Sequence, residues 1–151
     1  MIWRTALANL AAVPVPGVVT SYDLATLPDV LPAAHLPALV PAFPNGGGAL
    51  EAGQGLSTLT YDGGAWRAAL AVDHVLYWTP VAASGGLQAV LPCLVEAVDA
   101  YLAALCVDGT LGGALHEPLV VARVSAGVQE YGGVAYYGAR FRHQWVITVG
   151  E

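Results

Sequence analysis

Apolar and polar residues alternate along this chain with two different periods, and each change of period marks an element. Over residues 2–12 the period is helical. Ile2, Ala6, Leu7, Leu10 and Ala11 fall on one side, with Arg4, Thr5 and Asn9 mainly on the other. Pro14, Pro16 and Gly17 end this helix. Residues 18–22, "VVTSY", read as a short strand. Prolines at 28, 32, 37 and 41 then hold the chain extended and interrupt any ladder, which leaves residues 36–40 as a brief edge strand. The segment 44–56 is rich in glycine and has no period, so a mobile loop is expected there.

A period of two follows. Asp62-Gly63-Gly64 suits the turn of a hairpin. The strand after it sends Trp66, Ala68, Leu70, Val72, His74, Leu76 and Trp78 to one face. Arg67, Ala69, Ala71, Asp73, Val75 and Tyr77 go to the other. Both faces are mostly apolar, so this strand is central or covered on both sides. Residues 87–107 carry the strongest helical pattern, with Leu87, Val90, Leu91, Leu94, Val95, Val98, Leu102 and Leu105 in a wide stripe and Gln88, Glu96 and Asp99 off it. Pro92 fits that helix only near its first turn. "DGTLGG" at 108–113 ends it.

Strands are predicted again at 118–126, 128–137 and 139–149, the last two as a hairpin around Gly138. The final strand places Phe141, His143, Trp145, Ile147 and Val149 on one face and Arg140, Arg142, Gln144 and Thr148 on the other. Together these elements predict an α+β fold. A mostly antiparallel sheet carries an N-terminal helix and one long central helix, in a single domain over residues 1–151.

Composition changes the picture in one respect. Apolar residues make up 56% of the chain and charged residues 11%, with five arginines, no lysine and a net charge of −6. Ordinary globular domains carry roughly 25% charged residues. A surface so poor in charge suits a subunit that hides much of it against partners. The acidic balance and the lack of a dense basic patch argue against sequence-specific nucleic-acid binding. The N-terminal residues read as part of the fold rather than a signal peptide. The apolar stretches are broken before reaching the roughly 20 residues that a bilayer span needs. Cys93 and Cys106 fall on one helix, too far apart to bridge, and are expected to be free thiols.

Few residues carry a pattern that implies chemistry. His35, His74, His116 and His143 form no HxH or HExxH unit, and there is no CxxC. Asp73 and His74 are neighbours on a strand and so face opposite ways. His143 lies between Phe141 and Trp145 on an apolar face and is expected to be structural. Glu96 and Asp99, three apart, read as the polar edge of a helix. The glycine-rich segment lacks the GK[ST] of a phosphate loop, and no GxSxG elbow is present. Neither catalysis, a metal nor a cofactor is expected.

What remains is surface. Arg140 and Arg142 share one strand face, with Arg123 on a neighbouring strand. Such a cluster could line a channel or meet acidic groups of a partner. No carboxylate lies close to them in sequence, so they are expected to matter for assembly more than for folding. Tyr131, Tyr136 and Tyr137, with Trp145, would suit the core of an interface.

The layout as a whole resembles the tail-terminator, or minor tail, proteins of long-tailed bacteriophages. The resemblance rests on the N-terminal helix running into "VPGV" at 15–18, "LPDVLPAAHLPALVPAF" at 27–43, the strand "AWRAALAVDHVLYW", the long helix, and "YGGVAYYGARFRHQWVITV" at the end. It implies a structural virion protein without catalytic residues. Such subunits close as a homo-oligomeric, hexameric ring on the finished tail tube. The ring stops tube polymerisation and presents a surface to the neck or connector proteins of the head. The expected partners are other copies of the chain, the tail-tube protein and the neck proteins, with DNA passing through the lumen without specific binding and no membrane involved. The expected location is the neck-proximal end of the virion tail, after assembly in the host cytoplasm. A neck or head–tail connector protein is the alternative, and a small ligand-binding or enzymatic α+β domain a more distant one.

Overall fold

The strand predicted after the Asp62-Gly63-Gly64 turn organises the molecule. In the computed structural model, which describes residues 2–43 and 56–149, this strand is β4 (Ala65–Pro80). Before it come α1 (Ile2–Ala12), β1 (Thr20–Ser21), β2 (Ala38–Ala42) and β3 (Leu56–Asp62). After it come α2 (Leu87–Leu105), β5 (Val120–Tyr131) and β6 (Val134–Val149). β6 runs antiparallel to β4 along one edge, while β3 and β2 share the other edge. β1 lies parallel to β2, and β5 antiparallel to β6. The order is β1-β2-β4-β6-β5 with β3 beside β4, the mostly antiparallel α+β sheet that the pattern predicts. The predicted mobile loop lies outside the described residues, apart from Leu56.

Alternation along β4 decides which core each residue joins. Ala68, Leu70, Val72 and Leu76 pack with Leu7 and Leu10 of α1, Tyr101 and Leu105 of α2, and Phe141, Trp145 and Ile147 of β6. Val75 and Tyr77 point the other way and join a smaller cluster with Tyr22, Leu31, Val40 and Tyr136. Both helices therefore cover one face of the sheet. The proline-rich passage between β1 and β2 covers part of the other, through Tyr22, Leu31 and Leu36. It is tied to the tip of the β5–β6 hairpin, where the Tyr131 hydroxyl donates to the Pro28 carbonyl.

Five expectations need correction. Residues 36–40 do not form an edge strand, because β2 is flanked by both β1 and β4. β1 reaches only Ala38 and Leu39, however, so β2 is bare of β1 where Pro41 sits. After α2 there are two long strands rather than three. Their turn is Gly132-Gly133, with φ of 57° and 79°, the positive values that a two-residue hairpin turn requires.

Gly138 lies within β6, where the sequence pattern placed a turn. It sits where β4 passes so closely that an added Cβ would stand 1.8 Å from the Leu76 carbonyl oxygen. Next to it the β4–β6 register shifts between Tyr77 and Thr79. A glycine inside a strand at a bulge marks such a close approach. Gly138→Ala is expected to cost about 2 kcal/mol through overpacking against backbone. Chemical denaturation would read this as a lower midpoint, and an unchanged midpoint would contradict the packing described.

The helical stripe is narrower than predicted. α2 buries Val90, Leu94, Ala97, Tyr101 and Leu105, while Leu87, Leu91 and Val95 are exposed. Pro92 lies in the second turn, on the exposed side, where it removes one helix hydrogen bond. Contrary to the sequence reading, α2 is long and apolar enough to cross a bilayer by length and composition alone. Its buried stripe packs on the sheet, and Glu96 and Asp99 interrupt its outer side.

Candidate functional site

The three arginines singled out by the sequence do meet. The strand register sets Asp73 of β4 opposite Arg142 of β6, with Arg123 of β5 opposite Arg142 on the far side. β5 reaches that register through a shift between Val121 and Arg123, which carries Arg123 to the face away from the helices. Arg123, Arg140 and Arg142, with Ser125 and Gln129, line a pocket of about 300 Å³ on that face.

Asp73 forms the floor of this cluster and is completely buried. Its carboxylate accepts from Arg142 Nε at 2.9 Å and Nη2 at 3.1 Å, and from Arg140 Nη1 at 2.7 Å. Arg140 Nε also donates to Gln129 Oε1 at 3.4 Å. Burial alone would raise the Asp73 pKa, but the two guanidinium groups outweigh it and hold the carboxyl below its ordinary value. The same contact raises Arg142.

The expectation that these arginines lack an internal partner is thus corrected. Their acid lies far away in sequence, and only the β4–β6 pairing brings it within reach. Asp73 carried a signal all the same, as the one acid on an otherwise mostly apolar strand face. Arg123 is exposed and forms no ion pair among the described residues. Two of the three guanidinium groups share one carboxylate and the third has none, so the pocket keeps an excess of positive charge in a chain of net charge −6.

The aromatic group does not form one interface. Tyr136 is buried and Tyr131 half-buried in the smaller core cluster, where both rings pack T-shaped against Tyr77. Burial there pushes the Tyr77 hydroxyl up to about 12. Trp145 is fully buried in the other core. Tyr137 remains half-buried. Alternation separates Tyr136 from Tyr137, so the two adjacent tyrosines serve opposite faces.

A second polar constellation lies inside the main core. The Trp145 indole Nε1 donates to His143 Nδ1 at 3.3 Å. The Tyr101 hydroxyl lies 2.7 Å from His143 Nε2 and 2.8 Å from His74 Nδ1. Indole N–H can only donate, which fixes the direction of the whole chain. His143 carries its proton on Nε2 and gives it to the Tyr101 oxygen. Tyr101 then donates to His74 Nδ1, so the His74 proton resides on Nε2, a buried atom without a partner. Burial pushes both imidazoles down, His143 to about 4 against a weaker opposing pull from Asp73, and His74 well below its ordinary value, with His143 adding to the effect. Burial raises Tyr101.

The sequence reading of His143 as a packed residue agrees with this geometry. It did not foresee that Tyr101 would join two histidines 69 positions apart.

Among the described residues no group of three or more His, Cys, Asp and Glu side chains could hold a metal. Cys93 and Cys106 are free and exposed. The fold and site together define a small α+β protein with a basic pocket on the open face of its sheet and a closed polar relay in its core. No protein-family model matches the chain, and no curated protein matches it.

Proposed function

We propose that this protein is a structural subunit of a bacteriophage tail, of the tail-terminator kind. Copies close as a ring on the finished tube, stop its growth and present a surface to the neck proteins of the head. The observation that carries this reading is the pattern of exposed apolar residues. Among the described residues β5 pairs with β6 on one side only, and it exposes Val120, Val124 and Val128 at 53%, 39% and 59%. α2 adds exposed Leu87, Leu91 and Val95. A long open strand edge beside apolar surface is a liability for a monomer and an asset for a subunit. The sequence resemblance supplies the kind of assembly, and the low surface charge is consistent with it.

The test combines native mass measurement and imaging of the chain with purified tail tubes. A ring at one end of the tube, with a block to further polymerisation, is the expected result. Tails that grow to normal length in the absence of this protein would refute the proposal. Val128→Lys is expected to leave the folding stability within about 0.5 kcal/mol of the parent, since the site is exposed. It should prevent ring closure, scored by the same imaging. Normal rings from this variant would remove the β5 edge from the interface.

A further inference from the structure

The geometry points to a head-to-tail contact in which the arginine pocket of one copy receives the Glu96 and Asp99 carboxylates of the next. This inference rests on the ring reading above and names its contact. The fold leaves part of the arginine cluster unpaired. Asp73 engages one Arg140 nitrogen and two Arg142 nitrogens. Arg123 and the remaining donors of Arg140 and Arg142 face a concave pocket of about 300 Å³, beside the Ser125 hydroxyl and the Gln129 amide. Arginine forks placed in this way suit the two oxygens of a carboxylate.

The matching acids are on the opposite side of the molecule. On α2, Val90, Leu94, Ala97 and Tyr101 face the sheet. At 100° per residue, Glu96 and Asp99 point directly away from it, and both are exposed. Neither side chain forms an ion pair or hydrogen bond among the described residues. The helices cover the Phe141 and Trp145 face of the sheet, whereas the arginine pocket opens from the other face. Unlike surfaces on opposite sides cannot satisfy each other in one copy. Between copies they make a heterologous contact, which repeats head to tail and closes when the rotation allows. A phosphate backbone is the weaker candidate occupant. The positive groups form a compact pocket rather than a stripe, and the chain as a whole is acidic.

The experiment uses two charge-reversed chains. One carries Arg123→Glu, which leaves the Asp73 network intact. The other carries Glu96→Arg and Asp99→Arg on the exposed face of α2. Assembly is measured by sedimentation and native mass at concentrations where the parent chain forms rings, with tail tubes as template where needed. Each variant alone should fold normally and associate at least about tenfold more weakly, because Arg123→Glu cancels the positive excess of the pocket and sets a carboxylate against Glu96 and Asp99, while the α2 variant sets arginines against arginines. Mixed in equal amounts, the two should recover assembly in an alternating ring, since the carboxylate introduced by Arg123→Glu then meets the arginines of the α2 variant and the unaltered pocket meets unaltered Glu96 and Asp99.

Rings formed by either variant alone at the parent concentration would overturn the inference while leaving the ring reading standing. A mixture that stays unassembled would overturn it as well. Binding of short duplex DNA by the parent chain, lost in Arg123→Glu, would reassign the pocket to phosphate. A parent chain that forms no rings under any of these conditions ends both readings.

Discussion

Replacing Arg140 and Arg142 together with glutamine should destabilise the protein by about 3–5 kcal/mol, because it strands a buried carboxylate. The Asp73 side chain has no exposure, whereas those of Arg140 and Arg142 are 32% and 39% exposed. The asymmetry decides the outcome. An arginine that loses Asp73 can turn to water, but Asp73 without its arginines has nowhere to go and must be protonated or pull the sheet open. Asp73→Asn is therefore expected to cost less than the arginine pair, about 2 kcal/mol, since it removes the charge along with part of the bonding. Adding Asp73→Asn to the double glutamine variant should recover a large part of the loss. That recovery is the coupling a mutant cycle measures. Denaturant titration at pH 7 provides all the values. A double variant as stable as the parent would place Asp73 in contact with water. Arg123→Gln is the control, expected within about 0.5 kcal/mol of the parent because its side chain is exposed.

This expectation reverses the one that the sequence supports, and the reason is general. Alternation told correctly that Arg140 and Arg142 lie on the face opposite Phe141, His143 and Trp145. It told equally well that Asp73 and Val75 share a face of β4. What it could not supply is register, the offset that sets Asp73 against Arg142 rather than a neighbour. The arginine cluster was legible as a face, but its ion pairing was not. The same limit explains Gly138. Read locally, a glycine between two alternating runs is a turn. The fact that removes that reading is the Leu76 carbonyl of another strand. α1, the turn after Asp62 and the two faces of β4 were legible because each depends on its own segment. Tyr101 was missed for the opposite reason: in the helical stripe it stands among leucines and valines, and only the opposing histidines give its hydroxyl a purpose.

The buried relay leads to the second large effect, a loss of stability on acidification from pH 7 to pH 4. His143 has an ordinary value of 6.5 and is pushed to about 4 by burial. A histidine depressed in the folded state binds its proton more readily when unfolded. Its contribution to stability is full above about 6.5, shrinks as the pH falls, and is gone once the folded value near 4 is passed. At about 1.4 kcal/mol per unit the total for His143 is about 3 kcal/mol. His74 acts in the same direction, because burial and the neighbouring His143 both oppose its charge. Asp73, held below its ordinary value of 3.8 by the arginines, adds its own loss only at still lower pH. Protonating His143 at Nδ1 would also set two donors against each other, since the Trp145 indole cannot accept. His143→Gln is the discriminating change. It keeps a polar side chain beside Tyr101 and is expected to cost about 1 kcal/mol at pH 7. It should also flatten the dependence of stability on pH between 7 and 4 by close to one proton, which unfolding at a series of pH values measures. A parent protein with equal stability at pH 7 and pH 4.5, or a variant with the same slope as the parent, would show that the His143 imidazole is not held neutral by the core.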